Sequence, residues 1–124
     1  MKYVAFVLLA AVFLVSAATT DYSFARDKVA RVQDDLLRAA DFARKGAIIK
    51  EGNQIDRYGD VQRTLSKFDE ELSKGKFDKD KLDKAIDELK KVVEHNTLSS
   101  LDRDALANDV RELRPLRAAR GLPY

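Results

Sequence analysis

The chain has 124 residues, 45% of them hydrophobic and 35% charged, with no Cys, no Trp, one His, two Pro and a formal net charge of +2. One domain with its own core fits that length and apolar content. The missing cysteine excludes disulfides, cysteine zinc sites, iron–sulfur clusters, thiol nucleophiles and covalently attached c-type haem.

Met1, Lys2 and Tyr3 precede an uninterrupted apolar run from Val4 to Val15, followed by Ser16, Ala17, Ala18 and Thr19. A basic start, a short apolar stretch and a small-x-small site spell a secretory signal peptide over residues 1–18, cut after Ala18. The alternative is a retained anchor, since Val4 to Thr20 reaches the lower limit of about 17 residues for a bilayer span. Cleavage is the expectation, and with it a secreted or periplasmic protein without a stable membrane span. Lys2 is the only charged residue of this segment, so the remaining 106 residues carry 22 basic and 21 acidic side chains. That near-neutral balance argues against nucleic acid as a partner, which wants a strongly basic face.

Tyr22, Ala25, Val29, Val32, Leu36, Ala39 and Ala43 recur at three- and four-residue spacing. They predict a helix to about Lys45, stopped by Gly46. Phe24 and Phe42 lie off this stripe and are candidates for an exposed contact. A second helix is expected from an Asp60 N-cap to Ser73, with Val61, Leu65, Phe68 and Leu72 inward. Its extension back toward Ala47 is opposed by Gly52 and Gly59, each worth about 1 kcal/mol against a helix interior. Ile55 and Tyr58 favour it by staying in register with Val61.

Asp78 predicts the cap of a third helix, with Phe77 packing on Leu82 as a hydrophobic staple and Leu82, Ile86, Leu89 and Val93 inward. Asp80 with Lys84, Lys84 with Glu88, and Asp87 with Lys91 are four-apart pairs on its solvated face. His95 and Asn96 close it. Ser99 and Asp102 have capping-box spacing at the start of a fourth helix, in which Leu101, Leu106, Val110 and Leu113 form the stripe. Pro115 should stop or kink that helix after Arg114. The expected layout is therefore an all-α, up-down-up-down four-helix bundle over residues 19–114, with 115–124 as a short basic tail. The alternative is a pair of helical hairpins that completes its core as a homodimer.

Haem-binding bundles of the cytochrome b562 kind share this size and shape. Such a site takes inward Met and His ligands, whereas here the segment after Ala18 has no Met and its His ends a helix. The Glu-x-x-His of carboxylate-bridged metal bundles fails, because Val92 stands three before His95. Asp78, Asp80 and Asp83 are spaced like the start of a calcium loop, but Leu82, Asp83 and Leu89 occupy positions that need a ligand, Gly and Glu. No metal or cofactor is expected. His95 with Ser99 or Ser100 lacks a recognisable orienting carboxylate and oxyanion donors, which leaves catalysis as the weakest reading.

Binding is the leading expectation. Arg103, Arg111, Arg114 and Arg117 fall within about 120° of a helical wheel, and Arg120 extends them into an acid-free tail. Guanidinium groups grip carboxylates and phosphates, so the expected partner is an anionic envelope component or a protein. A holdase-like envelope chaperone is the alternative, presenting apolar surface at Phe24, Phe42, Ile48 and Ile49.

Overall fold

The computed structural model describes residues 20–45 and 52–124. The described residues form four helices: α1 (Ser23–Lys45), α2 (Gly52–Ser73), α3 (Lys79–His95) and α4 (Ser100–Ala118). They pack as a bundle in which α1 meets α2 and α4, and α3 meets α2 and α4. Cross-helix bonds fix the directions. Arg26, early in α1, pairs with Asp69, late in α2, at 2.9 Å; Lys28 pairs with Glu112, late in α4, at 2.5 Å. Neighbouring helices are thus antiparallel, and one chain closes the ring.

Most of the expected stripe residues face inward: Leu36, Leu65, Phe68, Leu89 and Val110 are all buried, with Ala25, Ala39 and Ala43 along α1, but on α3 the fully buried valine is Val92 and the expected Val93 is only partly buried. The segment expected to be a signal peptide, the Gly46 stop and the Ile48 and Ile49 pair lie outside the described residues, among which no helix is long and apolar enough to cross a membrane.

Local signals place α3 where expected. Asp78 accepts the Lys81 N–H at 3.1 Å, and Phe77 sets its ring edge-on to Phe68 at 5.7 Å, against the core. The Lys81 N–H holds the Asp78 carboxyl below its usual range. The three surface pairs expected on α3 do not form. Glu88 instead accepts from Thr64 Oγ1 of α2 at 2.5 Å, and Lys81 turns to Asp78. Exposed four-apart pairs are worth only about 0.2–0.5 kcal/mol, so a cross-helix partner easily outcompetes them.

Three other expectations are corrected. Asp60 is not a cap: the extension that Ile55 and Tyr58 favoured is present from Gly52, and Asp60 lies in the helix interior, paired with Arg63. The helix runs through Gly59 because its first turns are anchored from elsewhere. Asn96 Nδ2 donates to the Gln54 carbonyl at 3.0 Å, the Thr97 N–H donates to Gln54 Oε1 at 2.9 Å, and Arg57 donates to Asn96 Oδ1 at 3.0 Å. Leu101 is not part of the α4 stripe but 79% exposed. At 100° per residue it stands about 140° from Leu106 and opposite Val110. Finally, of the stop or kink expected at Pro115, the stop does not occur: α4 continues through Pro115 to Ala118. Leu116 is fully buried, and its burial holds the last turn in place.

Beyond α4 the chain folds back over the bundle. Gly121 lies under the rings of Tyr22 and Phe77 with a positive φ of 83°, and the Tyr124 hydroxyl donates to the Glu112 carbonyl at 2.9 Å.

Candidate functional site

The arginines grouped on the sequence wheel divide into two sets. Three are engaged within the fold. Arg103 donates to the carbonyls of Val93 and Asn96, covering groups left free at the end of α3. Arg117 pairs with Asp83 across the α3–α4 seam. Arg120 takes a left-handed backbone conformation, φ 53°, and sets its guanidinium 5.7 Å from the centre of the Phe77 ring.

Arg111 and Arg114 are different. Both are exposed, and neither has a hydrogen bond or ion pair among the described residues. Together with Lys90, Val93, Glu94, Ala107 and Val110 they line a groove of about 230 Å³ between α3 and α4. Three cations and one carboxylate surround a floor of valine and alanine. Such a groove can take a carboxylate or phosphate in forked hydrogen bonds while an apolar neighbour of that group packs on the floor.

Phe24 and Phe42 also separate. Phe24 is half-buried, its ring edge-on to Tyr124 with centroids 5.2 Å apart, and the Lys28 ammonium sits 5.3 Å from Phe24 and 5.5 Å from Tyr124. The chain's own C-terminal segment supplies the cover that Phe24 needs. Glu112 completes this clasp, held below its ordinary range chiefly by hydrogen bonds from Lys28 and Tyr124. Phe42 remains 48% exposed near the end of α1. At the same end of the bundle Ile55 of α2 and Leu101 of α4 are also exposed, with Leu37 earlier on α1.

His95 is exposed at the end of α3 beside Lys91 and Glu94. Ser99 spends its oxygen as the α4 N-cap, accepting the Asp102 N–H at 3.1 Å, and His95 makes no hydrogen bond to it. Among the described residues no three His, Asp or Glu side chains are grouped to hold a metal.

One arrangement was missed from the sequence. Asp35 of α1 and Asp109 of α4 are 8% and 2% exposed and meet across the α1–α4 seam. Arg38 donates to Asp35 Oδ1, whereas Asp109 Oδ2 has no partner. Burial, then the Asp35 carboxyl, push Asp109 up to about 8. A signal existed: Asp109 stands three residues after Leu106 and four before Leu113, inside the apolar stripe and not beside it.

Comparison with protein-family models, curated proteins and solved structures finds no match for the chain.

Proposed function

We propose that this is a small exported, non-catalytic bundle that binds an anionic partner, either an envelope component or an acidic protein face, through the α3–α4 groove. The observation that carries the reading is the pairing of Arg111 and Arg114 over an apolar floor, while the neighbouring arginines are engaged internally. Export rests on the composition of residues 1–18. Intact-mass analysis of the exported protein should give a chain beginning at Thr19, and retention of Met1 to Ala18 would favour the anchored form.

The test of the groove uses R111Q/R114Q against anionic phosphatidylglycerol vesicles, a polyglutamate peptide and partners captured by crosslinking. Affinity of the parent should fall between about 0.1 and 1 M salt, where the Debye length shrinks from about 10 to about 3 Å. The double variant should bind about tenfold more weakly at the lower salt, a change of about 1.4 kcal/mol. Equal binding of variant and parent at both salts would remove the groove from the contact. The exposed Phe42, Ile55 and Leu101 at one end of the bundle favour a second reading, a holdase-like envelope chaperone. Binding of many unfolded chains, insensitive to salt and to the arginine variant, would select it.

A further inference from the structure

The α1–α4 seam contains two carboxyl groups that cannot both be ionised comfortably. Asp35 and Asp109 are buried against each other between apolar turns, Leu36 and Ala39 on one side, Leu106 and Leu113 on the other. Asp35 has Arg38 on one oxygen, and Arg38 is itself largely solvent-exposed. Asp109 Oδ2 is buried with no donor. If both groups were charged, two anions would face one another out of water. If one is protonated, its O–H donates to the other carboxylate and the orphaned oxygen is satisfied.

We propose that Asp35 and Asp109 hold a single proton between them that joins α1 to α4, and that its loss to solvent makes this seam the first part of the bundle to open. The groups acting on Asp109 agree with this. Asp35 raises its proton affinity; Arg31, also on α1, opposes; Glu112, on the same helix as Asp109, reinforces, although Lys28 and Tyr124 engage it. From α3, the other helix packed on α4, no charged group acts on it. The net result is a carboxyl pushed up to about 8. An aspartate of the unfolded chain titrates at about 3.9. Between these values the folded chain holds a proton that the unfolded chain has lost. Stability from this pair is therefore complete at acid pH, declines as pH rises through that interval, and levels off above it. The same two helices carry the Lys28–Glu112–Tyr124 clasp, so opening the seam would also release the C-terminal segment. The α2–α3 hairpin has its own ties, Thr64 to Glu88 and Gln54 to Asn96, and does not depend on the pair.

The experiment is thermal unfolding of the full chain and of Asp109→Asn between about pH 5 and pH 9, read with amide hydrogen exchange corrected for its intrinsic pH dependence. The parent should melt progressively lower as pH rises to about 8, a change of several degrees, with exchange at pH 9 accelerating in α1 and α4 before α2 and α3. The variant replaces the shared proton with a permanent N–H donor. It should melt at a pH-independent temperature and above the parent at the alkaline end. Asp35→Asn should behave likewise, and it serves as the measurement if Asp109→Asn does not fold. A parent melting temperature that is flat or rises over this range, or a variant with the parent's slope, would overturn the proposal. So would an increase with calcium or magnesium at pH 9 that the variants lack, because the pair would then hold a cation and not a proton.

Discussion

Gly59 and Gly121 show how differently one residue type behaves in this fold. Gly59 lies inside α2, half-exposed, and nothing stands within 4 Å of where a Cβ would be. Gly59→Ala should stabilise the protein by about 0.5–1 kcal/mol, through lost freedom of the unfolded chain and better helix propensity. Gly121 has a φ of 83°, and a Cβ there would stand 3.0 Å from ring carbons of both Phe77 and Tyr22. Gly121→Ala should destabilise by more than about 1 kcal/mol, because strain and a clash replace the entropic gain. Denaturant melts of the two variants, shifted in opposite directions, would check both. From sequence, Gly59 read as a cost to a helix that Ile55 and Tyr58 otherwise favoured, and Gly121 as part of a loose end. The neighbours of Gly121, Tyr22 and Phe77, come from distant segments, so its role could not be read locally.

At the level of elements, the helices differ in how much of their definition is local. The start of α3 is written within four residues, Asp78 to Lys81: a cap and the N–H it accepts, whereas Phe77 just before it packs on Phe68 of α2. The same is true of Ser99 and Asp102 at α4. The start of α2 is not, because Asn96 and Thr97 hold it from more than forty residues away. Asp60, an attractive cap in isolation, therefore gave the wrong boundary. The acid pair is a similar case: Asp109 interrupts a stripe visibly, but nothing near it indicates that Asp35 will be its partner. Pro115 is the clearest contest between local and tertiary forces. It has no N–H to offer the Arg111 carbonyl, yet α4 persists because the turn beyond it delivers Leu116 to the core. Pro115 is exposed, so Pro115→Ala removes no packing. It should stabilise by about 1–2 kcal/mol, the helical gain less the entropy that proline takes from the unfolded chain. A melting temperature unchanged or lowered would mean that the proline geometry itself is needed to seat Leu116.

In the whole molecule the seams α1–α2, α2–α3 and α3–α4 join consecutive helices, whereas α1–α4 joins residues as far apart as Lys28 and Glu112, 84 positions along the chain. Closing that last seam carries the largest loop-closure cost, so it should form late in folding, after the hairpins. It is also where the clasp of Phe24, Lys28, Glu112 and Tyr124 and the buried acids are concentrated. The opposite ends of the described fold thus lie side by side: Tyr22 touches the turn at Gly121, and the Phe24 and Tyr124 rings meet. Circular permutation becomes practical as a result. A chain opened at the exposed Lys74 and joined from Tyr124 to Thr20 by a short glycine–serine bridge should keep the four helices, as far-UV circular dichroism would show, because the bridge need only cross a gap the fold has already closed. In such a permutant the pairing of α1 with α4 becomes a local hairpin and the pairing of α2 with α3 the distant one, so the order in which the seams form should be exchanged while the folded architecture stays the same.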